Sequence, residues 1–401
     1  MSDAELQTVN DAIDALLAAH DPSLESYQEF RGHQYDAGLA WVQNPLRAGG
    51  IGVRPQLQRD VNKRLAEAGA ASMDPAQFFQ ALAGPTILAH GNQEQYDRFL
   101  RPMFTGEEKW CQLFSEPNAG SDFAGLGTKA VEDGDEWLVN GQKVWNTLAH
   151  IADWGMLVTR TDPEMPKHKG MTYFALDMHL EGVEVRPLRQ ITGEAEFNEV
   201  YMTDVRVPDD CRIGARGEGW RAALTTLMNE RTAIGGGGSG GAPKRGSGAI
   251  SHLVQVWEGL PEDRKTSAQR DDVTKLWIRA EILRLTVMRA VQGAKMGQPG
   301  PEGSVAKLAG AELNKELYSE AINLLGMAGQ VDYDYTFRRP GVIDLDGAAN
   351  GIGHAFLRVR ANSIEGGTSE VLRNIMGEQM LGLPGEPRVD KEIAWSKVPK
   401  N

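Results

Sequence analysis

The stretch from Gln112 to Thr147, QLFSEPNAGSDFAGLGTKAVEDGDEWLVNGQKVWNT, constrains the fold more than any other part of the chain. It opens on a turn-rich loop, SEPNAGSD, that holds Ser115, Pro117, Asn118, Gly120, Ser121 and Asp122. Such a loop offers backbone N–H groups and hydroxyls rather than core-filling side chains. A strand pair is expected next. Trp137-Leu138-Val139 and Lys143-Val144-Trp145 flank Asn140-Gly141, a dipeptide suited to a type I′ turn because both central positions need φ > 0. The second strand would end in Trp145-Asn146-Thr147, a flat aromatic face beside a hydroxyl. Folded together, loop and strand end suit a ligand with a planar ring and an anionic tail.

Periodicity sets this stretch between two helical regions. Leu6, Val9, Ile13, Leu16 and Leu17 recur at helix spacing, Val61 to Ala71 and Pro75 to His90 read as further helices, and Asn92 is placed to cap a helix from Gln93. From Trp110 short β-like runs take over: Gly155 to Arg160, Met171 to Met178, Val183 to Leu188 and Glu199 to Val207, with turn signals at Asp133-Gly134 and Glu181-Gly182. After Gly214 the helical period returns. Trp220, Ala223, Leu224, Leu227 and Met228 form one apolar stripe. Gly235 to Gly248 reads as a flexible connection or a close helix approach, and Asp272 to Met296, Glu302 to Leu325 and Ser369 to Leu381 as helices before a polar tail. The expected class is therefore α+β: an N-terminal helical domain over 1–110, a middle β domain over 111–214 and a C-terminal helical bundle over 215–401.

The net charge of −13, from 42 basic and 55 acidic residues, argues against nonspecific nucleic-acid binding. The two cysteines, Cys111 and Cys211, make no disulfide framework, and no Cys/His motif calls for a metal. The acidic N-terminus lacks the basic start and apolar run of a signal peptide, and no apolar run approaches the roughly 18 residues of a membrane span. The cytoplasm is the expected location. His90, alone near a helix end, is expected to be structural. Arg189 and Lys167-His168-Lys169 read as a solvated loop.

The run SEPNAGSD followed by NGQKVWNT resembles the acyl-CoA dehydrogenase family, whose pattern is roughly [ST]-E-P-x-A-G-S-D and then N-G-x-K-x-W-I-T. The resemblance implies FAD as cofactor. Ser115 and Ser121 match positions that bond the flavin ring and pyrophosphate, Trp145 the Trp beside the isoalloxazine and Thr147 the hydroxyl donor to flavin N5; Leu113 and Gly120 belong to the same set. Asn118 stands where Gly is common, and Asn146 where Ile is common. Further along, Asn323 and Gly326 in NLLGMAG match the family's Q-x-x-G-G-x-G, which reaches the adenine side of FAD in a neighbouring subunit. Thr368 and Glu370 match contacts to the adenosine part. The family's R-x-x-F-G, another contact across the dimer interface, is absent between Gly248 and Arg284.

Desaturating an acyl-CoA needs one carboxylate to take the α-proton while hydride leaves from the β-carbon to flavin N5. Two glutamates compete. Glu365, in SIEGGTSE, lies one residue before Gly366, the position that matches the base of medium-chain-type members. Glu230, in LMNER, resembles the base of isovaleryl- and long-chain-type members, and at about 100° per residue projects roughly 20° from Ala223. Gly366 would then supply only its backbone N–H to the thioester carbonyl. The resemblance further implies an electron-transfer flavoprotein as acceptor and a homodimer or homotetramer. Two other readings stand beside it: a half-site subunit of a hetero-oligomer, and a flavin-dependent acyl-CoA oxidase. Small residues from Gly235 onward would leave room for a branched or cyclic acyl group.

Overall fold

A computed structural model describes residues 2–234, 244–295, 302–331, 334–343, 347 and 350–399; the side chains of 2–3, 231–234, 294–295 and 302 lie outside the description. Most of the glycine run from Gly235, and the acyl-group expectation attached to it, therefore lies outside the described residues. Two compact units are present: Met1–Leu188 with Phe197–Thr226 and Asp390–Asn401, and Arg189–Glu196 with Leu227–Val389.

The first unit begins with five helices: α1 (Ser2–Ala19), α2 (Tyr27–Asp36), α3 (Gln58–Glu67), α4 (Gln80–His90) and α5 (Gln93–Thr105). Val9, Ile13 and Leu16 of α1 pack with Phe30, Leu39, Val61 and Leu65 in one apolar core. Asn92 caps α5 as expected, in a reciprocal box with Gln95. The helix expected from Pro75 starts instead at Gln80, because Pro75–Gln77 forms a separate 3-10 turn in which the Asp74 side chain accepts from Ala76 N–H.

A sheet follows: β1 (Trp110–Leu113), β2 (Lys129–Asp133), β3 (Glu136–Lys143), β4 (Trp154–Arg160), β5 (Met171–Asp177), β6 (Val183–Pro187), β7 (Asn198–Pro208) and β8 (Arg212–Ile213). The strand order is β6-β7-β3-β2-β4-β5-β8, with β1 parallel to β4. Its core gathers Leu113, Trp137, Val139, Leu157, Phe174, Val200 and Val205.

The hairpin expected at Asn140-Gly141 is not formed there. β2 and β3 turn at Gly134, φ 72°, with Asp133 opposite Glu136. β3 then runs straight through Asn140-Gly141 and pairs with β7, with a register shift between Val139 and Gly141. The dipeptide makes a bulge rather than a turn. Asn140 Nδ2 donates to Asp204 Oδ1 at 3.0 Å, and Asp204 N–H donates back to Asn140 Oδ1 at 2.9 Å, with Asp204 itself at φ 51°. Gly141 is required by close approach, since a Cβ would stand 2.4 Å from Thr128 Oγ1.

The second unit is helical. α6 (Gly219–Ile234) enters it, followed by α7 (Ala249–Gly259), α8 (Ser267–Lys295), α9 (Glu302–Leu325), α10 (Ile352–Arg358) and α11 (Ser369–Ile375). Leu253, Val273, Leu276, Leu313, Leu317 and Leu324 form its core. The expected α6 stripe is corrected. Ala222, Ala223 and Thr226 are buried, whereas Leu224 and Met228 are 40% and 66% exposed. Small residues let this face approach closely, and the larger apolar ones are left outside.

Candidate functional site

The loop after β1 and the end of β3 are one structural piece. Lys143 Nζ donates to Glu116 Oε1 at 2.8 Å and to the Phe114 carbonyl at 3.1 Å, from a fully buried position. Glu116 also accepts from the amides of Gly127 at 2.7 Å and Thr128 at 2.9 Å. Burial opposes ionisation of Glu116, but the Lys143 charge and these hydrogen bonds together hold its carboxyl below the usual value. The Lys143 ammonium is pushed down by burial and supported by Glu116. The Glu and Lys of the two sequence motifs thus build the loop rather than contact a ligand.

That frame holds the flavin-type positions in an open arrangement. Val144 N–H donates to the Ser115 carbonyl at 2.9 Å, and Asn146 exchanges backbone hydrogen bonds with Asn198 at 3.0 and 3.1 Å. Between these anchors Trp145 adopts φ 62° and is 58% exposed, with its ring edge-on to Phe197. A left-handed backbone at a bulky residue is strained and turns the ring outward. Asn146, the departure from the family pattern, is buried and donates from Nδ2 to the Gln112 carbonyl at 2.8 Å. It locks the strand end to β1. A Cβ on Gly120 would meet nothing within 4 Å, and Ser121 is exposed. Ser115 and Thr147 are half-buried, and the Leu113 side chain is fully buried, so only its main chain can meet a ligand. An outward indole beside an open, hydroxyl-bearing loop fits a flavin with a phosphate tail.

Lys167, expected in a solvated loop, is buried instead. Its ammonium bridges Asp122 at 2.9 Å and Asp390 at 2.5 Å, tying the end of the SEPNAGSD loop to the C-terminal segment. There Trp395 Nε1 donates to the Gly125 carbonyl at 3.1 Å, so the polar tail packs against the loop. His90 accepts or donates at 2.8 Å with Thr225, in keeping with a structural role. Cys111 and Cys211 are both free thiols. His20, Glu25 and His33 converge within 4.8 Å. The two imidazoles are stacked at 3.5 Å, which runs their in-plane lone pairs side by side rather than toward one ion.

The second unit carries the acid–base candidates. Glu230, on α6, is half-buried. Glu365 is gripped by a fork: Arg358 Nη1 and Nη2 donate to its two oxygens at 3.1 Å each, and Asn362 Nδ2 adds a bond of 2.7 Å. Arg358 is itself buried and reaches Glu196 at 3.4 Å. Gly366 and Gly367 follow at φ 63° and 95°, conformations that glycine adopts without strain. Glu365 N–H donates to the Ala361 carbonyl at 2.9 Å, whereas Gly366 N–H finds no partner among the described residues. Lys307, which the sequence did not single out, donates from Nζ to the Gly367 carbonyl at 2.5 Å.

Thr368 caps α11 by accepting from Val371 N–H at 3.1 Å, and Glu370 is exposed beside Arg373. Asn323 is exposed, and Gly326 ends α9 at φ 63°. Arg264, within the stretch where no R-x-x-F-G could be traced, donates to the Leu324 carbonyl at 3.0 Å and so sits at this same helix end. No sequence spacing announces it, because its partner is 60 residues away.

Among the described residues no helix is long and apolar enough to cross a membrane. The description "Acyl-CoA dehydrogenase, middle domain" matches residues 111–205, and "Acyl-CoA dehydrogenase, C-terminal domain" matches 217–381. Acyl-CoA dehydrogenase FadE34 of Mycobacterium tuberculosis is 40% identical over 84% of this chain, which spans only 43% of that protein. Acyl-CoA dehydrogenase IpdE1 of the same organism is 35% identical over 88% of this chain and 86% of its own length. A chain of the ChsE4–ChsE5 complex from Mycobacterium tuberculosis superposes with a TM-score of 0.68 at 26% identity, covering 96% of this chain and 98% of that one. With an N-terminal helical region, a middle β-sheet and C-terminal helices, the chain belongs to the acyl-CoA dehydrogenase family of FAD-dependent oxidoreductases.

Proposed function

We propose that this chain binds FAD and desaturates an acyl-CoA thioester between its α- and β-carbons, with Glu230 as the base. FAD, when bound, supplies the hydride acceptor. Leu113, Ser115, Gly120, Ser121, Trp145 and Thr147 would hold its flavin and pyrophosphate, and Asn323, Gly326, Thr368 and Glu370 would contact the adenosine part of FAD, the first two on a neighbouring subunit's cofactor. Glu230 takes the α-proton. The Gly366 N–H receives the thioester oxygen, where negative charge gathers as the proton leaves. One observation carries the choice of base: Glu365 is committed to Arg358 and Asn362. Both of its oxygens are taken up by these donors, so the carboxylate is fixed in place beside the glycine turn. The test is anaerobic addition of acyl-CoAs to the yellow protein, with bleaching of the flavin band as the expected result. If no thioester bleaches it, the reading fails.

A second reading is favoured by the resemblance to a chain from a two-component complex and by the span of 43% within the longer FadE34. In it, this chain works with an unlike partner that completes the cofactor site; a homodimer or homotetramer is the alternative. Mass measurement of the chain alone and with such a partner separates them. An electron-transfer flavoprotein is the proposed acceptor and the cytoplasm the proposed location. Peroxide released on turnover in air would point to an oxidase instead.

A further inference from the structure

We propose that residues 390–398 form a strap that sets the place of the SEPNAGSD loop, with Asp390 and Trp395 as positioning residues for FAD. The proposal rests on the reading of that loop as the one that meets the flavin and its pyrophosphate.

The open part of the loop has no packing of its own. A Cβ on Gly120 would meet nothing within 4 Å, and Ser121 is exposed. With no apolar surface buried there to offset the entropy of ordering, the flanks have to fix its place. Glu116 anchors the near flank through Lys143. The strap lies on the far flank. Lys167 Nζ donates to both Asp122 oxygens, at 2.9 and 3.2 Å, and to Asp390 Oδ2 at 2.5 Å. Trp395 Nε1 donates to the Gly125 carbonyl at 3.1 Å, and a Cβ on Gly127 would stand 3.6 Å from Trp395 Cζ2.

The strap is docked along the connection between β4 and β5. Trp395 N–H donates to the Met165 carbonyl at 2.9 Å and Ser396 N–H to the Pro163 carbonyl at 2.8 Å, while Ala394 bridges Pro166. Arg160 lies buried beside it. Its guanidinium donates to the main-chain carbonyls of Lys167 and Ala124, at 2.7 Å each, and of Leu126 at 3.4 Å. Among the described residues no carboxylate pairs with it, and the Trp395 ring stands 5.0 Å from it. A desolvated cation is stabilised by an indole face. One indole thus touches Arg160, the Gly125 carbonyl and Gly127, so the strap and the loop flank order together.

If loosening the strap leaves the loop in its binding geometry one-tenth of the time, the apparent Kd for FAD rises about tenfold. That is the expected effect of Trp395→Leu on FAD titration of the full-length apoprotein. Trp395→Phe, which keeps a ring over Arg160 and loses the donor to Gly125, should fall between it and wild type. Asp390→Asn, a milder change at a partly exposed site, should raise Kd at least about threefold. Placement of Ser121 gives a readout that general destabilisation would not move. In a Ser121→Ala background Trp395→Leu should raise Kd less than about threefold, because the contact that the strap positions is already gone. Without FAD, hydrogen exchange over residues 119–127 should rise in Trp395→Leu. A Kd within about twofold of wild type in both Trp395→Leu and Asp390→Asn, or full additivity with Ser121→Ala, overturns the proposal. A wild-type protein that takes up no FAD overturns the cofactor reading instead, and unchanged exchange in Trp395→Leu overturns the hold on the loop whether or not FAD binds.

Discussion

Lys143 Nζ lies 2.8 Å from Glu116 Oε1, with the lysine side chain wholly buried. This contact joins the two halves of the most informative sequence stretch, 27 residues apart, into one loop-and-strand piece. Breaking it leaves a buried charge unpaired. Lys143→Met should cost about 3–5 kcal/mol in stability, read as a lower urea midpoint. The pair Glu116→Gln with Lys143→Met should recover much of that loss, since no lone charge remains.

The same pair makes acid stability readable. Glu116 sits below its ordinary value near 4.5 when folded. A carboxyl depressed in the folded state contributes its stability fully above the unfolded value and loses it as pH falls through the folded value. Asp209, held by Arg212 and by Trp137 Nε1, is depressed from 3.8 to about 2. Stability should therefore decline as pH falls below about 4.5, with the Asp209 contribution lost from 3.8 toward pH 2. Denaturation curves across this range should flatten for Glu116→Gln and for Asp209→Asn, each of which removes one depressed carboxyl.

Gly141 gives a test of the corrected strand. In a hairpin turn on the surface, Gly141→Ala would be mild. In the observed bulge its Cβ meets Thr128 at 2.4 Å. The expected loss is about 1–3 kcal/mol, measured by chemical denaturation, and Thr128→Ala in the same background should return part of it.

Much of the fold was legible because its signals are local. The α9 boundaries follow from periodicity alone, and Asn92 announces its own helix. Asn140-Gly141 misled because the conformational freedom that suits a turn also suits a bulge, and only β7, distant in sequence, decides between them. The α6 stripe misled because hydrophobicity outranked size, while the buried face is built from Ala222, Ala223 and Thr226. In the candidate site, the residues of contiguous motifs could be named from the sequence. Lys307, Arg358 and Arg264 could not, since their partners include groups 60 to 162 residues away.

The most direct measurement compares Glu230→Gln with Glu365→Gln under anaerobic conditions. Both proteins should be yellow. With an acyl-CoA that bleaches the wild type, Glu230→Gln should bleach at least about a hundredfold more slowly, the lower range for loss of a general base. Glu365→Gln should stay within about tenfold of wild type, as expected for a carboxylate that supports the turn rather than takes the proton. Fast bleaching in Glu230→Gln with none in Glu365→Gln would contradict the assignment and move the base to the residue beside Gly366.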